Sequence, residues 1–144
     1  KMIASMGYKF ESVDGSEKQI IKLYQLLKKR VHSISHGSLP DYKSHFNFVK
    51  NHPYLHWFIV MYNGDSYGSF YIKRDNSIGI NFKIVDSKIL AASISFIKEN
   101  FKPQTAQPSI VPEYFYINVA SSNKELTDML TALNISPLQI SFRI

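Results

Sequence analysis

Leu55-His-Trp-Phe-Ile-Val-Met-Tyr62-Asn63-Gly64-Asp65-Ser-Tyr-Gly-Ser-Phe-Tyr-Ile72 is the stretch that decides the fold class. Two runs rich in β-branched and aromatic residues, Leu55 to Tyr62 and Tyr67 to Lys73, flank Asn63-Gly64-Asp65. Asn-Gly between such runs fits a tight hairpin, whose central positions need positive φ. A third run, Ile78 to Ile84, follows the turn residues Asp75-Asn76-Ser77. The middle of the chain therefore reads as a three-stranded antiparallel meander.

Downstream the apolar period becomes helical, with Leu90, Ile94, Ile97 and Phe101 on one stripe after Asp86. Pro103, Pro108 and Pro112 mark a loop, and Tyr114 to Ala120 reads as a fifth strand. Ser122 and Glu125 have the spacing of a capping box, in which each side chain satisfies the other residue's backbone N–H. The helix they open runs through Leu126, Met129, Leu130 and Leu133 and closes at Asn134, where a left-handed residue is expected. Gln139 to Ile144 reads as a last strand. Upstream, Tyr8 to Val13 is a strand ended by Asp14-Gly15-Ser16. Ser16 and Gln19 form a second capping box, opening a helix from about Glu17 to His32. Past Gly37-Ser38-Leu39-Pro40, Asp41 caps a shorter helix carrying Tyr42, Phe46 and Val49, which Asn51-His52-Pro53 ends.

The 144 residues predict one domain, with residues 1–6 set apart from it, and Lys1 in place of Met points to a piece of a longer chain. Apolar residues at 44% and charged residues at 19% exclude a disordered or collagen-like chain. Seventeen Lys and Arg against eleven Asp and Glu leave a formal charge of +6, which attracts anionic partners. The lysines are scattered, and no RNP-like string accompanies Phe70, Tyr71, Phe82, Phe115 and Tyr116, so nucleic acid is not the expected partner. Those aromatics read as core and cross-strand pairs. Without cysteine the chain has no disulfides, thiolate metal sites or thiol nucleophiles. No window reaches the roughly 18 apolar residues of a spanning helix, so a cytoplasmic setting is expected and no membrane.

His32 and His36, like His52 and His56, are spaced i, i+4, but helix-breaking residues adjoin each pair and no nearby carboxylate completes a site, so no metal is expected. No Ser-His-Asp spacing, paired carboxylates or Gly-rich phosphate loop supports a hydrolase or a kinase.

The order strand, two helices, meander, helix, strand, helix, strand resembles the GNAT superfamily of acyl-CoA-dependent N-acyltransferases. In that family the fifth strand often ends in an Asn-Val-like pair, here Asn118-Val119. An Asn then opens a helix closing with Leu-Gly-Phe, here Asn123 and Leu133-Asn134-Ile135. Ser44-His45-Phe46 looks like the Glu-Glu-His segment of amino-sugar and protein-N-terminal members. The resemblance implies an α/β (α+β) fold, with an antiparallel meander, a parallel strand-helix-strand unit and helices on both faces of a mixed sheet. It also implies transfer of an acyl group, acetyl first of all, from acyl-CoA to a primary amine on an amino sugar or nucleotide-linked amino sugar.

In that reading Phe82, Lys83, Ile84 and Lys88 meet the acyl-CoA, and Asn118 and Asn123 contact its pantetheine arm. A backbone N–H near Phe82 or Lys83 holds the oxyanion, and His36 and His45 are the catalytic candidates beside the acceptor. One departure is plain. Lys83-Ile-Val-Asp-Ser-Lys-Ile-Leu90 has no glycine where the family's Gln/Arg-x-x-Gly-x-Gly/Ala turn meets the pyrophosphate. Lys88 and Leu90 stand at the glycine positions, and Asp86 adds a negative charge. Asn81 stands where many members have an acidic base. The alternative is a non-catalytic GNAT-fold binding or scaffolding module that has lost CoA.

Overall fold

The computed structural model describes residues 6–30 and 39–144. Its elements run β1 (Lys9–Ser12), α1 (Glu17–Lys28), α2 (Tyr42–Lys50), β2 (His56–Tyr62), β3 (Asp65–Ile72), β4 (Ser77–Phe82), α3 (Ser87–Asn100), β5 (Tyr116–Ile117) and α4 (Lys124–Ala132). The sheet order is β1-β2-β3-β4-β5, antiparallel from β1 to β4 and parallel between β4 and β5. A parallel neighbour requires a crossover, and α3 supplies it, as the change of period at Asp86 predicts.

Local chemistry sets the meander. Asn63 (φ 49°) and Gly64 (φ 81°) are both left-handed, the backbone that a tight hairpin twisting with its strands demands. Tyr67 is the extra residue of a bulge, because Val60 pairs with Gly68 while Met61 pairs with Ser66. At the next turn Asn76 (φ 72°) is fully buried. Its amide donates to the carbonyls of Gln104 (3.2 Å) and Pro112 (2.7 Å) and accepts from Gln104 N–H (2.6 Å). One turn residue thereby holds the proline-marked loop against the sheet.

Period-2 alternation divides the sheet's two faces. Trp57, Ile59 and Tyr71 meet Ile20, Leu23 and Leu26 of α1 and Val49 of α2. Phe58, Val60, Phe70, Ile72 and Ile78 meet Ile89 and Ile97 of α3 on the other face. Leu90 of α3 joins Leu126 and Leu130 of α4 in a third cluster, against Ile80, Phe82 and Val119. Each large apolar side chain so buried contributes about 1.5–3 kcal/mol, so both layers of helices are held mainly by their stripes.

The helix starts correct two expectations. Asp41 caps α2 as expected, accepting from Ser44 N–H (2.7 Å). The box at Ser16 does not form: Ser16 makes no side-chain cap bond, and buried Gln19 accepts from Asp14 N–H (2.7 Å) and Gly15 N–H (3.2 Å) instead. Its amide donates to Glu11 and Ser12, tying α1 to the end of β1. At α4 the cap is Asn123, which accepts from Leu126 N–H (3.2 Å), one residue later than the expected Ser122. Asn134 (φ 63°) is left-handed as predicted. Helix α1 ends at Lys28, short of the expected His32, which lies outside the described residues. The last expected strand, Gln139 to Ile144, is not a strand, and its apolar side chains are exposed. A strand needs a neighbour's backbone to pair with, and among the described residues no strand pairs with this segment.

Candidate functional site

The site begins where two strands part. β4 and β5 pair only at Ser77 with Tyr116 and Ile78 with Ile117, and Asn118 N–H donates to Ile78 C=O (3.2 Å). β4 then continues to Phe82 while β5 breaks off, far shorter than the expected Tyr114 to Ala120. Strand alternation turns the N–H and C=O groups of Ile80 and Phe82 toward the opened side. Lys83 N–H faces the other way and donates to Tyr67 C=O (2.8 Å). Of the two expected oxyanion donors, Phe82 alone has its N–H on the open side.

Ser77, Gly79 and Asn81 alternate onto the α1/α2 face of β4. There Tyr71 covers Gly79, and Tyr54 stacks on Tyr71 with ring centroids 3.8 Å apart and planes 2° from parallel. Burial, with Tyr71 adding to it, pushes the Tyr54 phenol well above its ordinary range. Asp75 accepts from Ser77 N–H (2.9 Å), from its hydroxyl (2.6 Å) and from the Tyr116 hydroxyl. Burial works to raise the Asp75 carboxyl, but these hydrogen bonds outweigh it and hold the group below its usual value. Burial first, then Asp75, pushes the Tyr116 phenol up, so it keeps its proton at neutral pH. The sequence reading takes Tyr71 and Tyr116 for core aromatics and overlooks this wall; only their period-2 placement opposite Phe70 and Ile117 marks the face they occupy.

At the far end of β4, Asp86 caps α3 by accepting from Ile89 N–H (2.9 Å). Lys83, Ile84 and Lys88 are exposed around that helix start, and Lys83 Nζ sits 5.0 Å from the Tyr67 ring centre. A cavity of about 230 Å³ lies beside it, lined by Tyr8, Tyr62, Tyr67, Ile84, Asp86 and Lys88. Burial and the Asp86 carboxylate raise the Tyr8 phenol there. Leu90 is not at this turn; it is fully buried one turn into α3, facing α4.

Asn118 is exposed at the fork, with its backbone bound to Ile78. Asn123 uses its side-chain oxygen to cap α4. His45 corrects its expected catalytic role: it is 3% exposed, its Nε2–H donates to Ile20 C=O (2.9 Å), and it joins α2 to α1. Burial lowers its pKa, against the pull of that bond. His36 lies outside the described residues. His52 contacts Trp57 and His56 contacts Phe101, so the fold does not bring those two rings together. A groove of about 2150 Å³ borders β5, with Lys28, Arg30, Lys98, Lys102 and Arg143 against Glu113 on its walls.

The chain aligns with an aminoglycoside acetyltransferase, meta-AAC0020, from an uncultured soil metagenomic sample, solved with trehalose: TM-score 0.57 and 14% identity over 96% of this chain and 95% of that one. The same enzyme solved with sisomicin gives a TM-score of 0.52 at 14% identity, covering 96% of this chain and 93% of that one. A tandem GNAT protein from the clavulanic acid biosynthesis pathway, solved without AcCoA, aligns at TM-score 0.52 and 11% identity over 88% of this chain. The fold is that of the GNAT acetyltransferases. This chain spans only 43% of the tandem GNAT protein. Neither a protein-family model nor a curated protein sequence matches it. Within the GNAT fold the fork between β4 and β5 is present, whereas the turn before α3 is closed by an aspartate cap in place of glycines. Among the described residues no helix is long and apolar enough to cross a membrane.

Proposed function

We propose that the chain transfers an acetyl group from acetyl-CoA to a primary amine at the fork between β4 and β5. The observation that carries this reading is the end of pairing at Ile78 and Ile117, beyond which β5 offers no ladder partner to the backbone groups of Ile80 and Phe82. The pantetheine amides pair with that edge as an added strand would. Phe82 N–H, aimed at the thioester oxygen, stabilises the oxyanion as the amine nitrogen attacks the carbonyl carbon. The C–S bond then breaks, and the CoA thiolate leaves and takes a proton from solvent. His36 takes the proton of the amine, in the role that the resemblance implies for it.

The basic walls of that groove support an acceptor amine that also carries an anionic group, such as a nucleotide-linked amino sugar, over a polycationic aminoglycoside. Lys83 and Lys88 attract the pyrophosphate as point charges. The capped turn at Asp86 favours a second reading, a GNAT-fold binding module without CoA, because its carboxylate holds the Ile89 N–H at the helix start where a phosphate would sit. A calorimetric titration with acetyl-CoA at low salt decides between them. Micromolar binding that weakens with salt supports the transferase; no heat and no thermal shift at millimolar acetyl-CoA supports the module.

A further inference from the structure

We propose that the cavity at the start of α3 takes the adenine ring of the acyl-CoA, with Tyr8, Tyr62 and Tyr67 as the side chains that stack on it. The proposal rests on the reading that acetyl-CoA lies along the fork, and it extends that reading to the other end of the donor.

Strand geometry brings the three rings together. Phe10 of β1 and Phe58 and Val60 of β2 belong to the α3 face, so period two turns Tyr8 and Tyr62 the same way beyond them. Strict alternation along β3 would set Tyr67 with Tyr71 on the α1/α2 face, opposite to Phe70 and Ile72. The bulge at Tyr67 breaks that alternation, and its ring packs on the α3 side instead. The Tyr62 ring centre lies 5.0 Å from that of Tyr8 and 6.1 Å from that of Tyr67, the second pair at 89°. Ile84, Asp86, Lys88 and Ile89, around the start of α3, form the other wall.

Size and charge select what enters. A cavity of about 230 Å³ is smaller than the roughly 300–1,000 Å³ that buries a whole drug-sized ligand, so it holds one ring system of a larger molecule. Asp86 on the wall opposes an anion, while Lys88 and Lys83, the latter 5.0 Å from the Tyr67 ring centre, oppose a cation. A neutral flat ring meets neither obstacle, and tyrosine faces stack on it. The phenols and the Lys88 ammonium are donors for the ring nitrogens that a purine carries at its edge. Ile84, 56% exposed at the mouth, gains an apolar cover when the ring is in place.

The layout of the donor leads the base here. Ile84 is two residues past Phe82, at most about 7 Å along the chain. Lys83 and Lys88, which attract the pyrophosphate, both border the tyrosine cavity, so a base joined to that pyrophosphate through one ribose comes within reach of the rings. The Asp86 cap withdraws the Ile89 N–H from the phosphates, and stacking of the base supplies affinity in its place.

Titration with three probes tests this. Acetyl-CoA is the whole donor, acetyl-phosphopantetheine lacks the nucleoside, and the adenosine bisphosphate half of CoA lacks the thioester arm. We expect acetyl-CoA to bind roughly ten-fold tighter than acetyl-phosphopantetheine, as one stacked base allows. Tyr62→Ala should remove most of that advantage without changing acetyl-phosphopantetheine binding, and Tyr62→Phe should keep it. Should Tyr62→Ala fail to fold, saturation-transfer NMR of the unmodified chain reads the same contact, from tyrosine rings to the purine protons. Equal affinity for the two thioesters, or a loss that Tyr62→Ala imposes equally on both, overturns the proposal and leaves the transferase standing. If neither thioester binds, the transferase reading falls and the adenosine bisphosphate decides the cavity. Binding that Tyr62→Ala abolishes then supports it, and no binding at millimolar concentration overturns it.

Discussion

The Tyr71 ring covers Gly79 so closely that a Cβ at position 79 would overlap the ring's Cζ and hydroxyl oxygen. A single missing methyl group on β4 thus seats the aromatic pair that walls the α1/α2 side of the fork. Tyr71 is held from above by Tyr54, itself packed at 5.0 Å against Trp57, so it has no free direction in which to retreat. Gly79→Ala should therefore cost about 1–3 kcal/mol, the ordinary penalty of overpacking. The denaturant midpoint should fall and the near-ultraviolet tyrosine signal should change; an unchanged midpoint would show that the ring swings away freely.

Asp86 combines a structural role with an electrostatic obstacle, and the two separate by substitution. Asn caps a helix about as well as Asp, so Asp86→Asn should leave stability within about 0.5 kcal/mol. Removing the negative charge from the start of α3 should tighten acetyl-CoA binding by roughly five-fold, about 1 kcal/mol. Lys83→Ala with Lys88→Ala should weaken it by roughly ten-fold and flatten its salt dependence. Titration at two ionic strengths reads all three; if Asp86→Asn leaves affinity unchanged, the nucleotide does not meet this helix start.

Burial lowers the pKa of His45, and likewise of His52 and His56, below the ordinary 6.5. With the folded pKa depressed, the unfolded chain binds protons first as pH falls. The stability is complete above about pH 6.5 and is lost as pH drops from there through the lower folded values. Unfolding free energy should thus decrease between pH 7.5 and pH 5, and His45→Gln should reduce that slope. A profile that is flat over this range would contradict the burial of all three rings.

Because the side chain of Asn123 receives Leu126 N–H, Asn123→Ala should cost about 1 kcal/mol. Asn123→Asp should retain the cap, since its carboxylate accepts the same bond beside the helix's positive end. Chemical unfolding of the two variants distinguishes this from a helix starting at Ser122, where neither change would matter.

Asn76 satisfies three backbone groups of the loop after α3 while holding a left-handed backbone. Asn76→Ala leaves buried polar groups without partners and puts a Cβ residue at positive φ, for a loss of about 3 kcal/mol. Hydrogen exchange should show the loop around Gln104 opening before the sheet does.

The sequence by itself determined the element order, because each signal in it is local. Asn63-Gly64 bends the chain whatever surrounds it, Asp41 meets the N–H of Ser44 three residues on, and the change of period at Asp86 selects a helix. The parallel placement of β5 on β4 followed from the strand-helix-strand order. Only the tertiary structure decided what depends on neighbours distant in the chain. Gln19 turned from its capping box because the end of β1 offered it Glu11 and Ser12. His45 left the acceptor side because the Ile20 carbonyl of α1 lay within reach. Leu90, which stands at a phosphate-turn position in the sequence, found its partners Leu126 and Leu130 more than thirty residues away. Gln139 to Ile144 shows the same rule from the other side. Its alternating pattern fits it to be a strand, but a strand takes its hydrogen bonds from another strand, and among the described residues none pairs with it.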